Sequence, residues 1–168
     1  NTQALVFTNW SVREFDTPAD AQLRLGADWG FANAPTVLVG GFIGRWENGK
    51  AVADPGGRVL FVDREAHGVE VEIDDTPALF DTVEGSRQWT ITADSARPET
   101  VSAMRRYGFR IIPAIKGPGS IEDGIKFLQN FEIELHPRVS LIAREMARYS
   151  YRIDRLTGEI MPLLEDSN

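Results

Sequence analysis

Leu23-Arg24-Leu25-Gly26-Ala27-Asp28, followed by Trp29-Gly30-Phe31, a short turn around Asn33 and Pro35-Thr36-Val37-Leu38-Val39-Gly40-Gly41-Phe42-Ile43, is the stretch on which the fold turns. Its first segment alternates in part between apolar and polar residues and its second is an apolar run, so the two read as the strands of a hairpin. The polar stretch Glu47 to Gly57, rich in Gly, Asp and Asn, is expected to be a loop, and it leads to a third strand, Arg58-Val59-Leu60-Phe61-Val62-Asp63. Three consecutive antiparallel strands are the expectation.

Downstream the pattern changes. Asp75-Thr76-Pro77 places a capping residue ahead of a proline and opens a short helix carrying Leu79, Phe80 and Val83. Strand and helix then alternate: a strand over Gln88–Asp94, a helix from about Pro98 to Tyr107, a strand over Arg110–Ile115, a helix from Ser120 with Ile121, Ile125 and Leu128 on one face, and a strand from Phe131 to Leu135. Val139, Ile142, Met146 and Tyr149 recur at helical spacing after Pro137, and Tyr151 to Met161 reads as a hairpin around Thr157-Gly158. The fold class is α/β: a mixed sheet whose first three strands are antiparallel and whose later strands alternate with helices packed on it. At 168 residues one domain is expected, over residues 21–168, with residues 1–20 as linker and edge segment. The chain opens on Asn1 and ends on Glu165-Asp166-Ser167-Asn168, and is read as a piece of a longer protein.

Composition narrows the chemistry. With no cysteine there is no disulfide, thiolate zinc site or cysteine nucleophile, so any metal must sit on oxygen or imidazole. No apolar run is long enough to span a bilayer and no secretory signal opens the chain. The net charge of −7 argues against coating nucleic acid through the global field, but its distribution is uneven. Asp54 to Glu84 holds nine acids against two arginines, whereas Arg97 to Arg155 holds eleven bases against seven acids. The second half is suited to facing phosphates, or is simply a solvated surface.

Asp28 ends an apolar strand, and its carboxylate needs donors or a metal there. It either accepts backbone hydrogen bonds in the Gly30 turn or binds a cation. Asp94 repeats the pattern ahead of a helix, where an Asp serves as N-cap or, with Asp28, as half of an oxygen-only site for Mg²⁺ or Mn²⁺. Lys116-Gly117-Pro118-Gly119-Ser120 leaves a strand and opens a helix, with Ser120 and Asp123 spaced as a capping box and Lys116 placed to meet a phosphate. The phosphate-cradling spacing G-x-x-x-x-G-K-S/T is absent, so no bound nucleotide is expected. His67 and His136 read as structural, and Trp10, Trp29, Trp46 and Trp89 as core and rim aromatics.

Five segments taken in order resemble a known family. They are Gly26-Ala27-Asp28-Trp29-Gly30-Phe31-Ala32-Asn33-Ala34-Pro35-Thr36, Ala93-Asp94-Ser95-Ala96-Arg97-Pro98-Glu99, Lys116 through Ile125, His136-Pro137, and Tyr149-Ser150-Tyr151 through Asp154 to Thr157-Gly158-Glu159. Together they resemble the C-terminal nuclease domain of the large terminase subunit of tailed bacteriophages. The resemblance implies a ribonuclease H-like fold and a metal-dependent endonuclease that cuts concatemeric double-stranded viral DNA during genome packaging in the host cytoplasm, with two Mg²⁺ or Mn²⁺ ions. Matched residue by residue, it implies that Asp28 and Asp94 are catalytic metal ligands, and that a further acid comes from a helix following a segment like Glu165–Asn168, or from Asp166. Lys116, Arg97, Arg105 and Arg106 are the candidate DNA contacts. The partners implied are duplex DNA, an ATPase domain of the same protein, the small terminase subunit and the portal. Two other readings use the same acids or none: another ribonuclease H-like nuclease such as a resolvase or transposase core, and a non-catalytic docking module of a packaging motor.

Overall fold

The structure, a computed structural model, describes residues 5–149 together with the strand residues 151–153 and 160–164. Its strands are β1 (Trp10–Val12), β2 (Arg24–Asp28), β3 (Thr36–Glu47), β4 (Lys50–Ala53), β5 (Val59–Gly68), β6 (Ile91–Ala93), β7 (Ile111–Pro113), β8 (Glu132–Leu135), β9 (Tyr151–Ile153) and β10 (Ile160–Leu164). Its helices are α1 (Thr76–Asp81), α2 (Pro98–Arg106), α3 (Ser120–Gln129) and α4 (Ser140–Arg148). No helix among the described residues is long and apolar enough to cross a membrane.

The main sheet runs β1-β8-β5-β3-β2-β6-β7, with β4 hydrogen-bonded to β3. As the hydrophobic pattern predicts, β3 is antiparallel to both β2 and β5. The later strands then join both edges of that trio in parallel: β6 beside β2 and β7 beside β6 on one side, β8 beside β5 on the other. The edge strand β1 pairs in parallel with β8, so the N-terminal segment is part of the sheet, and its Val6, Phe7 and Phe15 are buried.

Both faces of the sheet are covered. Leu38 and Val39 are consecutive in β3 and therefore point to opposite faces. Leu38 joins Leu25, Ile91, Ala93 and Ile111 beneath Phe80, Val83, Val101 and Met104, whereas Val39 packs with Val62, Ile133, Leu135 and Val139 alongside Ile142 and Met146 of α4. A third cluster stacks Phe42 on Phe61 with Phe15 and Trp46 edge-on.

A bulge bends the middle of the sheet. Gly40 pairs with Arg64 but Gly41 pairs with Val62, which leaves Asp63 as the extra residue. Glycine is required here, because a Cβ on Gly41 would lie 1.9 Å from the Phe61 carbonyl oxygen. The unpaired Asp63 is buried, and its carboxylate is answered by Arg64, with Nε at 2.8 Å and Nη2 at 2.9 Å, and by the Thr17 hydroxyl. That last bond ties the segment crossing from β1 to β2 onto the bulge.

Three local readings change. Within the expected loop Glu47–Gly57, Lys50–Ala53 is a strand in a hairpin with β3, while Asp54–Gly57 is a turn: Asn48 and Gly49 both adopt positive φ, the requirement of a type I′ turn, and allow Glu47 to pair with Lys50. Gln88–Thr90 lies outside β6, because Gln88 and Trp89 form a turn onto Gly85. The Ser120–Asp123 capping box does not form, since Gly119 in left-handed conformation occupies the cap position and Ser120 is already helical. Strands β9 and β10 form the expected antiparallel pair, while the turn residues Thr157-Gly158 lie outside the described residues.

Phe61 is fully buried among three other aromatic rings. Phe61→Ala is expected to cost about 3–5 kcal/mol in a urea unfolding measurement. A loss below about 1 kcal/mol would show that this aromatic cluster does not anchor the fold.

Candidate metal centre

Strands β2 and β6 pair in parallel with Leu25 opposite Ile91, Gly26 opposite Thr92 and Ala27 opposite Ala93. The Asp94 N–H donates to the Ala27 carbonyl at 3.0 Å and carries the pairing one residue further. Asp28 and Asp94 are thus neighbours at the C-terminal ends of adjacent parallel strands. Ala27 and Ala93 belong to the face covered by α1 and α2, so alternation sends both acids to the opposite face. There they stand at the rim of an open depression of about 320 Å³ lined by Gly26, Val37, Val39, Thr92, Ala114 and Lys116.

The two carboxyls are unequal. Asp28 is solvent-exposed at the rim, yet partial burial against the apolar floor, hydrogen bonding with Asp94 and repulsion from its charge raise its pKa above the ordinary carboxylate value. Asp94 is shifted downward, first by its bond to Lys116 Nζ and then by the Ala96 N–H, which reach Asp94 Oδ1 at 2.8 and 2.9 Å. Of the two, Asp94 therefore ionises at the lower pH and Asp28 at the higher.

The surrounding turns are locked from behind. Trp29 lies flat on Phe80, with rings 6.0 Å apart and 5° from parallel, and its Nε1 donates to the Asp94 carbonyl at 2.9 Å. The Thr36 hydroxyl donates to the Gly30 carbonyl at 3.1 Å, and a Cβ on Gly30 would lie 2.1 Å from the Ala34 carbonyl oxygen. Asp94 is not the cap of α2, whose cap position is Arg97. Instead its side chain closes a short turn onto Ala96.

The other candidates distribute unevenly. Lys116 meets Asp94 in this structure, a contact 22 residues apart in sequence that follows from the pairing of β6 with β7. Arg97 lies near the acids, donating to the Gly30 carbonyl at 3.3 Å. Arg105 and Arg106 are at the far end of α2, bound to the Ile111 carbonyl and the Ser102 hydroxyl. Asp166 lies outside the described residues, and among the described residues no group of three or more His, Asp or Glu side chains is placed to hold a metal ion. His67 is exposed on β5, and His136 packs edge-on against Phe15. All four tryptophans are partly buried against core clusters. A larger trough of about 890 Å³ borders Thr17, Arg64, Glu84 and Arg138, but the Arg64 guanidinium in it is spent on Asp63, Thr17 and the Glu84 carbonyl.

The terminase RNAseH like domain family matches residues 57–168, and the chain belongs to that family. Its structure is similar to that of the large terminase (g2p) nuclease domain from bacteriophage SPP1 with bound Mn, with a TM-score of 0.76 and 25% identity over 95% of this chain and 89% of that one. The nuclease domain of the P22 large terminase aligns at a TM-score of 0.65 and 14% identity over 94% and 84% of the two chains, and that of thermophilic phage G20c with bound magnesium at 0.63 and 15% over 96% and 88%. No curated protein sequence matches. The mixed sheet is the ribonuclease H-like fold of large terminase nuclease domains.

The asymmetry of the acids has a thermal consequence. A carboxyl with a raised folded pKa contributes stability below its unfolded value, and loses it as pH rises through the folded value. In chelator, Asp28→Asn is therefore expected to raise Tm at about pH 7.5 relative to the parent and to leave it unchanged at about pH 3. A scan showing no difference under the neutral condition would mean that Asp28 and Asp94 do not repel each other.

Proposed function

We propose that this domain is a metal-dependent endonuclease that cuts double-stranded DNA during viral genome packaging, with Asp28 and Asp94 as catalytic metal ligands. The observation that carries the reading is the placement of those two carboxyls side by side on adjacent parallel strands in an open depression. The donor set suits a hard divalent ion: both groups are oxygen anions, their mutual repulsion calls for a cation, and one cation, Lys116, is already drawn to Asp94. Relatives of the same fold carry manganese or magnesium.

When bound, Mg²⁺ or Mn²⁺ ions supply Lewis acidity and lower the pKa of water at the scissile phosphate. The chain's own residues prepare that chemistry. Asp28 and Asp94 would hold the ions through their carboxylate oxygens, Asp94 being the more readily ionised of the two. Trp29 and the Gly30 turn hold both carboxyls in place from behind. Asp166 or a following acid would complete a two-ion site, because two carboxylates offer few oxygens for two ions. Lys116 and Arg97, which lie at the same end of the sheet as the acids, would meet backbone phosphates, with Arg105 and Arg106 as more remote contacts on the far end of α2. Such contacts bind with little sequence preference. In a whole large terminase the partners would be an ATPase domain of the same protein, the small subunit and the portal, and the setting the host cytoplasm.

Plasmid nicking in Mn²⁺ tests the reading. The parent chain is expected to nick supercoiled DNA, Asp28→Asn and Asp94→Asn to fall to background, and Asp166→Asn to lose Mn²⁺ affinity. Cutting by Asp28→Asn at the parental rate would remove it from the site, and failure of the parent both to bind Mn²⁺ and to cut would leave the docking-module reading.

DNA binding measured in Ca²⁺, a hard divalent ion offered in place of Mg²⁺ or Mn²⁺, gives a separate check. Affinity is expected to fall steeply with salt, and Lys116→Ala to reduce the slope of log K against log salt by about 1. A slope identical to the parent's would show that Lys116 contacts no phosphate.

A further inference from the structure

Two partners want the same side chain. Lys116 Nζ lies 2.8 Å from Asp94 Oδ1, with the lysine side chain 56% exposed. That oxygen also accepts the Ala96 N–H at 2.9 Å, so both of its lone pairs are in use. A divalent ion bound through Asp94 Oδ1 competes with the ammonium for that oxygen, because the Ala96 N–H is fixed in the backbone turn and the lysine tip is not. Among the described residues no other cation is hydrogen-bonded or ion-paired with Asp28 or Asp94.

The loop around Lys116 allows it to leave. Ile115, one residue before, is 98% exposed, and an added Cβ on Gly117 or Gly119 would meet nothing within 4 Å. Among the described residues the lysine tip is hydrogen-bonded and ion-paired to Asp94, with Asp28 adding an attraction at longer range. Once displaced, the ammonium is a free point charge on a four-carbon stem at the mouth of the depression, where a DNA phosphate is the anion at hand.

We propose that Lys116 is an exchangeable counter-ion that couples metal binding to DNA binding: it occupies Asp94 while DNA is absent, and transfers to a backbone phosphate when a divalent ion takes its place. The inference rests on the nuclease reading above and adds a restraint to it, since metal loading is disfavoured until DNA is present. Coupling of this kind is reciprocal, so DNA tightens metal binding by the factor by which metal tightens DNA binding.

Mn²⁺ binding, followed through the electron paramagnetic resonance of the free ion, tests this on the full chain with and without a short DNA duplex. A duplex nicked during the measurement remains the same polyanion, so the readout does not depend on turnover. Without DNA, Lys116→Met is expected to bind Mn²⁺ about two- to fivefold more tightly than the parent, the range set by an exposed ion pair. Lys116→Arg should stay near the parent, and so should Arg110→Gln, which removes the same charge from the opposite end of β7, where the guanidinium is bonded to the Gln88 carbonyl and not to Asp94. The duplex should strengthen Mn²⁺ binding more in the parent than in Lys116→Met. Equal or weaker Mn²⁺ binding by Lys116→Met without DNA, or the same duplex effect in both proteins, overturns the counter-ion role and leaves the nuclease reading standing. No Mn²⁺ binding by any of the proteins overturns both.

Discussion

The parallel pairing of β2 with β6 is the constraint on which the rest depends. Antiparallel pairing would bring the end of one strand against the start of the other, and Asp28 and Asp94 would stand at opposite edges of the sheet. In parallel register they end side by side, and two carboxyls so placed repel. The structure answers that repulsion unequally, with a lysine and a backbone N–H on Asp94, while partial burial and the neighbouring charge raise the pKa of Asp28. One lysine against two carboxyls leaves the pair incompletely neutralised by the groups around it.

What surrounds the pair is rigid on one side and open on the other. Behind the acids, Trp29 against Phe80 and Thr36 against Gly30 fix the two turns from which the carboxyls project. In front lie the shallow depression and the loop of Lys116, Gly117 and Gly119, whose residues have few packed neighbours. The acids are thus held on strand ends, and the lysine that meets Asp94 is held on a loop with few packed neighbours.

The remainder of the fold shields both faces of a sheet that is parallel at its edges, as strands of that kind require. Long-range polar contacts close it. The carboxylate of Glu65 on β5 accepts the Leu141 and Ile142 N–H groups at 3.0 Å each and so caps α4 from a distant strand. The buried Asp63 at the bulge binds Arg64 and Thr17 and secures the crossing segment. Each of these satisfies a group that would be costly to bury alone.

Much of this was legible in the sequence. Partial alternation marked β2, apolar runs marked β3 and β5, helical spacing marked α3 and α4, and two acids at strand ends stood out because a carboxylate there needs hydrogen-bond donors or a cation. The Asn48-Gly49 turn was legible too, but its hairpin hides in a stretch whose polarity reads as loop. The tertiary structure alone decided that β6 lies beside β2, that Lys116 falls on Asp94 and that Glu65 caps α4. Local periodicity reports which face an element buries, whereas the neighbour it pairs with is settled by the sum of packing and hydrogen bonds over the whole sheet, which no window of sequence contains.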